Sequence, residues 1–288
     1  MTLRSTLLRF SGVCAITLSF LAGLPAGYAQ TAAQTGTTAG PYTGFDMNLY
    51  PGDAMLPALH QSFSYVGYWL NAPPGDPNAN GWKGKRAVVA QNGFGFLILF
   101  NGRLDAEFKK LNPAATGRSD AAKAIAAATA EGFPAHAIIF LDLEEGGSLM
   151  PNTAKYVGAW VSAIRRSKFR PGAYCSGIEV ADDPGTTIST ADDIRKQFGD
   201  VALWLANDVC PPAPGCELKP DGLRMSQSGR QDALVWQYAQ SPRRPEFTRS
   251  CRTTYAQDGN CYAPGTPALG RYSLDLNLSS SSDPSGGR

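Results

Sequence analysis

Short apolar runs recur along the chain, each closed by glycine, proline or small polar residues. They lie at about Gly44–Leu49, Ser64–Leu70, Gly95–Phe100, Ala137–Leu143, Arg170–Ser176, Ala202–Asn207, Leu234–Ala239 and Ser273–Leu278. Their length, their flanks and their content of branched and aromatic residues predict eight buried strands. Helical periodicity appears between the first five strands and before the sixth. Arg118–Glu131 is alanine-rich, with Gly117 or Ser119 near its start, and Asn152–Ser167 carries one stripe of Tyr156, Trp160, Val161 and Ile164. Beyond the sixth strand that periodicity is lost. Val209–Asp232 and Ser241–Arg271 are rich in proline, glycine and serine. Alternating strands and helices predict an α/β fold. Eight strands predict a modified TIM-type (β/α) barrel whose helices are reduced after strand 6.

The 288 residues divide unevenly. Arg4 and Arg9, the apolar centre Val13–Leu24 and the small residues around Ala26–Ala29 predict a signal peptide over 1–29. Residues 30–40 read as a disordered mature N-terminus, 41–280 as the barrel and 281–288 as a disordered tail. A secreted or periplasmic location is expected, with no membrane association after cleavage, because no other run is long enough to span a bilayer. The leader holds two of the 26 basic residues and none of the 24 acidic ones. The mature chain is therefore close to neutral, which speaks against a nucleic-acid partner. Cys210 and Cys216 are close in sequence, as are Cys251 and Cys261, and an exported chain predicts two local disulfides from them. Cys175 is left over and reads as a small buried residue.

The chemistry gathers where strands end. Asp142 and Glu144 close the fourth strand at i and i+2, a spacing that puts both on one face. Asp46 lies in the first strand, Asn207 at the end of the sixth, Gln237 and Tyr238 near the end of the seventh, Asp275 and Asn277 in the eighth. Paired carboxyls across a cleft suit glycosidic bond cleavage, where one must be protonated and another ionised. Glu144 is the better proton donor, its acidity weakened by crowding from Asp142, Asp46 and Asp275, while Asp142 and Asp275 are expected to stay ionised. Tyr68, Trp69, Trp204, Trp236 and Tyr238 could stack on sugar faces. With His60 and His136 as the only histidines, a Ser/His/Asp triad is improbable. No metal-ligand motif is present, so neither a metal nor a cofactor is expected.

Gly44-Phe45-Asp46, Asp142-Leu143-Glu144, Trp236-Gln237-Tyr238 and Asp275-Leu276-Asn277 together resemble, in order and spacing, the family 25 glycoside hydrolases (lysozyme-type muramidases). The chain is as similar or more so to their relatives, the DUF1906 (Rv2525c-like) glycoside hydrolase-like domains. The resemblance runs from about Tyr42 to Ser280. It implies five β/α units followed by three strands with little helix. It implies Glu144 as general acid and Asp142 as its assistant, orienting the substrate's N-acetyl group, with Asp46 and Asp275 shaping and charging the cleft floor. The implied partner is a polysaccharide, the cell-wall glycan peptidoglycan. After Asp46 the chain departs from the hydrolases, reading Met47-Asn48-Leu49-Tyr50-Pro51-Gly52.

Overall fold

A computed structural model describes residues 41–74, 80–207, 223–240 and 274–288. Ten strands are described: β1 (Tyr42–Asp46), β2 (Tyr65–Trp69), β3 (Gly95–Asn101), β4 (Ile138–Asp142), β5 (Arg170–Ser176), β6 (Val180–Ala181), β7 (Thr187–Ile188), β8 (Ala202–Ala206), β9 (Ala233–Ala239) and β10 (Asp275–Ser279). Eight of them close a barrel in the order β1-β10-β9-β8-β5-β4-β3-β2, while β6 and β7 form a separate small hairpin. The barrel strands coincide with the eight apolar runs. Helices α1 (Leu56–His60), α2 (Arg86–Gln91), α3 (Pro113–Ala130), α4 (Pro151–Arg165) and α5 (Thr190–Phe198) all precede β8. Between β8 and β9 the described residues hold only a single 3-10 turn, Met225–Ser228. Cys210, Cys216, Cys251 and Cys261 lie outside the described residues.

Within the barrel every strand pair is parallel except those made by β10, which runs antiparallel to both β1 and β9. The reversal has a consequence for the site. In a parallel barrel the start of the last strand lies at the end opposite the catalytic loops. Here the first residue of β10, Asp275, pairs with the last residue of β1, Asp46. The barrel interior alternates large and small residues. A Cβ on Gly67 would lie 2.4 Å from the Cβ of Asp46, and one on Gly44 would lie 2.1 Å from the Tyr65 ring. Both glycines make room for the neighbour that projects into the barrel.

The start expected for the long helix near Gly117 or Ser119 is corrected. Helix α3 begins at Pro113, and the Asn112 side chain caps it by accepting from the Ala115 N–H at 2.9 Å. Gly117 is interior, and it is there for packing: a Cβ would stand 2.3 Å from the Tyr156 carbonyl of α4. The tail is also corrected, since Ser281–Arg288 is ordered against the barrel floor. β4 pairs with β3 only from Ile98 upward, which leaves lower β3 backbone groups to be satisfied. Asp283 accepts from Phe96 N–H at 2.9 Å, Ser285 Oγ accepts from Ile98 N–H at 2.9 Å, and Ser285 N–H donates to Phe96 O at 2.9 Å. Arg86 donates to Gly287 O at 2.8 Å.

Helix propensity alone favours alanine over glycine at position 117 by about 1 kcal/mol. The clash with an immobile backbone carbonyl outweighs it, since overpacking costs about 1–3 kcal/mol. Gly117→Ala should therefore lower stability in urea unfolding, and a more stable variant would contradict the packing account.

Candidate active site

A cavity of about 440 Å³ opens at the barrel end where β1–β5, β8 and β9 finish and β10 begins. Asp46, Asp142, Glu144, Tyr174, Trp204, Gln237, Gln240 and Asp275 line it. Asp142 and Glu144 follow the i, i+2 rule and share it. Their surroundings differ: Asp142 is 3% exposed, whereas Glu144, two residues past the end of β4, is solvent-exposed. Among the described residues the cleft carboxyls do not form a metal-binding cluster.

Asp46 is held from two strands. Asn277 Nδ2 donates to its Oδ2 at 2.6 Å, and Gln237 Nε2 donates to the same oxygen at 3.0 Å. Each amide is held in turn: Asn277 Oδ1 accepts from Trp204 Nε1 at 2.8 Å, and Gln237 Oε1 accepts from the Tyr174 hydroxyl at 2.7 Å and Gln240 Nε2 at 2.9 Å. Burial pushes the Asp46 carboxyl up to about 6, the two amide donors pull against that rise, and the charge of Glu144 adds to it. Neither carboxyl oxygen of Asp142 has a hydrogen-bond partner. Burial drives its pKa well above the carboxylate range, and the neighbouring Glu144 charge, a looser contact with the Glu144 carboxyl and the Asp46 charge raise it further. The expectation that Asp142 stays ionised is therefore corrected. With no donor to stabilise its charge, it keeps its proton. Tyr174 is likewise held protonated, by burial first and then by Glu144, Asp46, Asp142 and Asp275.

The remaining expected site residues divide by strand face. Trp69 and Trp204 line the cleft, their indoles committed to Met47 O and to Asn277 Oδ1. Tyr68, Trp236 and Tyr238 are not among the cleft residues, because each alternates with an inward-facing neighbour. Tyr68 packs on Trp82, Phe96 and Phe133, and its hydroxyl accepts from Lys85 and Arg86 N–H. Trp236 and Tyr238 pack on one another at 5.8 Å. Asn207 is occupied in the loop, donating to Ser228 O at 3.0 Å while its carbonyl accepts from the Trp236 indole. Gln237 and Asn277 reach the cleft, but their contacts are with protein. Tyr174 and Gln240 escaped sequence reasoning, although alternation from Gly172 along β5 would have turned Tyr174 inward. Cys175 faces away from the cavity, buried, its thiol pushed up to about 12 by desolvation. Among the described residues no helix is long and apolar enough to cross a membrane.

Asp46 and Asp142 hold their protons more tightly folded than unfolded. The stability this contributes is complete below the unfolded pKa and is lost as pH rises through the folded one. For Asp46 the window runs from 3.8 to about 6, a difference on the order of 3 kcal/mol, and for Asp142 it runs upward from the same 3.8. Asp142→Asn, which keeps the shape and removes the charge, should raise the melting temperature at pH 8 and change it little at pH 4. An equal shift at both pH values in calorimetry would contradict this assignment.

Residues 62–209 match the family described as Rv2525c-like, glycoside hydrolase-like domain. The fold is similar to that of the Mycobacterium tuberculosis Tat-secreted protein Rv2525c, solved in complex with HEPES. Identity is 14%, the TM-score is 0.50, and 83% of this chain and 95% of that chain are covered. An uncharacterized B. stearothermophilus protein gives 17% identity and a TM-score of 0.49, with 83% and 95% covered. The catalytic domain of endolysin ply40 from bacteriophage P40 of Listeria monocytogenes gives 13% and 0.43, with 84% and 94% covered. No curated protein matches. At these identities the structural likeness speaks to fold, not to activity. The family match spans just over half the chain, from β2 through β8, and includes Asp142 and Glu144, so the chain belongs to the Rv2525c-like, glycoside hydrolase-like domain family.

Proposed function

We propose that this protein is an exported glycosidase acting on cell-wall glycan of the peptidoglycan type, with Glu144 as proton donor to the leaving oxygen. The observation that carries the reading is the carboxyl pair itself: a buried, unpartnered Asp142 and an exposed Glu144 on one cleft, in a chain of a glycoside hydrolase-like family. Glu144 stands at the mouth, where a glycosidic oxygen can reach it and where bulk water can restore its proton. Asp142 has two oxygens waiting for a ligand. In its neutral form it both donates and accepts, which suits it to hold an acylamino group in line for substrate-assisted attack. Asp46 and Asp275 place negative charge on the floor, where it stabilises an oxocarbenium-like transition state. A cavity of about 440 Å³ is within the range of small-ligand sites. Export is supported by the leader-like N-terminus, and the similar protein Rv2525c is Tat-secreted.

One observation favours a second reading, a glycan-binding envelope protein without turnover. Among the described residues Glu144 has only the loose contact with the Asp142 carboxyl to orient it, and a loosely held acid is a weak catalyst.

Reducing-end release from purified peptidoglycan and from chitin oligomers separates the two. Glycosidase action predicts release that falls by about 10²–10⁴-fold or more in Glu144→Gln, with the melting temperature unchanged. Full activity in that variant would remove Glu144 from the mechanism. Glycan retention without new reducing ends in the native protein would establish the binding reading.

A further inference from the structure

The Asn277 half of the amide clamp on Asp46 is fixed from behind. Trp204 can only donate, so Asn277 must turn Oδ1 toward the indole and Nδ2 toward Asp46, as observed at 2.8 and 2.6 Å. On the β9 side, Gln240 Nε2 donates to the Tyr174 hydroxyl at 3.1 Å, which sends that hydroxyl's own proton to Gln237 Oε1 at 2.7 Å. Gln237 Nε2 is thereby turned to Asp46. Two N–H donors thus converge on Asp46 Oδ2, and Oδ1 takes no hydrogen bond from any described residue. Asp142, on the same cavity, receives no donor at all. Donors stabilise a carboxylate and their absence stabilises the acid.

We propose that Gln237 and Asn277 are positioning residues that make Asp46 the anion of this cleft, with Oδ1 left to accept from a bound ligand, while the cleft's proton resides on Asp142. The ligand group is a hydroxyl or an acylamino N–H, a choice that rests on the glycan reading above. Among the described residues, the titratable groups near Asp46 are Asp142 and Glu144 from β4 and its loop, Tyr65 of β2, Tyr174 of β5 and Asp275 of β10. Among the described cleft residues none is basic, so the amides are what favour charge on Asp46.

The test is a carboxyl ¹³C NMR titration of the aspartate-labelled full chain, with Asp46→Asn to assign the signal. Wild-type Asp46 should titrate at about 6. Gln237→Leu should raise that inflection by about one unit or more. Tyr174→Phe, a milder change that only frees Gln237 to rotate, should raise it by less. Unmoved inflections in folded variants would overturn the clamp, and Tyr174→Phe decides alone if Gln237→Leu does not fold. An N-acetylglucosamine tetramer bound by calorimetry should lower the wild-type inflection. Binding with no such shift would overturn the role of Oδ1, whereas absence of binding counts against the glycan reading and leaves the clamp result intact.

Discussion

A carboxyl group buried without a hydrogen-bond partner costs several kcal/mol, and this barrel keeps one at Asp142. Nothing in the packing requires a polar residue there. The neighbouring β4 positions are filled with Ile139, Phe140 and Leu141, all fully buried, and any of their types would be cheaper in stability. The rest of the site is arranged around that cost. Glu144 extends past the strand end into solvent, Asp46 is supplied with two donors, and Tyr174 is kept protonated to hold one of those donors in place. Such unsatisfied polar groups concentrate where a ligand supplies what the protein withholds.

The reversed β10 strand makes the arrangement possible. Running antiparallel to β1 and β9, it brings Asp275 opposite Asp46 and Asn277 opposite Gln237. Its start, not its finish, lies at the mouth. The same strand therefore delivers a cleft carboxylate and half of the clamp. On the far side, where β4 begins late, the segment around Asp283 and Ser285 satisfies the backbone of lower β3. One end of the barrel carries these hydrogen bonds to lower β3, and the other, among the described residues, carries the acidic cleft.

Much of this was legible in the chain. Eight apolar runs became eight barrel strands because burial on both faces leaves an unbroken hydrophobic signature. The pair at 142 and 144 could be placed on one face because strand periodicity is 2. Hydrophobic pattern carries no direction, so the reversal of β10 was invisible. It also does not distinguish the inward from the outward face of a fully buried strand, which is why Tyr68, Trp236 and Tyr238 were expected at the cleft and Tyr174 was not. The protonation of Asp142 depends on which donors are absent, a property of the assembled site. Gly117 read as a helix boundary because its partner, the Tyr156 carbonyl, is distant in sequence. Ser281–Arg288 read as disordered because its own side chains are small and polar, whereas its order comes from unpaired groups on β3.

The central claim is that Asp142 waits for a glycan. A crystal structure of the protein with a bound N-acetylglucosamine oligomer at mildly acidic pH tests it most directly. The account predicts an acylamino or hydroxyl group within hydrogen-bonding distance of an Asp142 carboxyl oxygen, with Glu144 beside a glycosidic oxygen and Asp46 still clamped by Gln237 and Asn277. A glycan seated elsewhere, with both Asp142 oxygens still unpartnered, would contradict it.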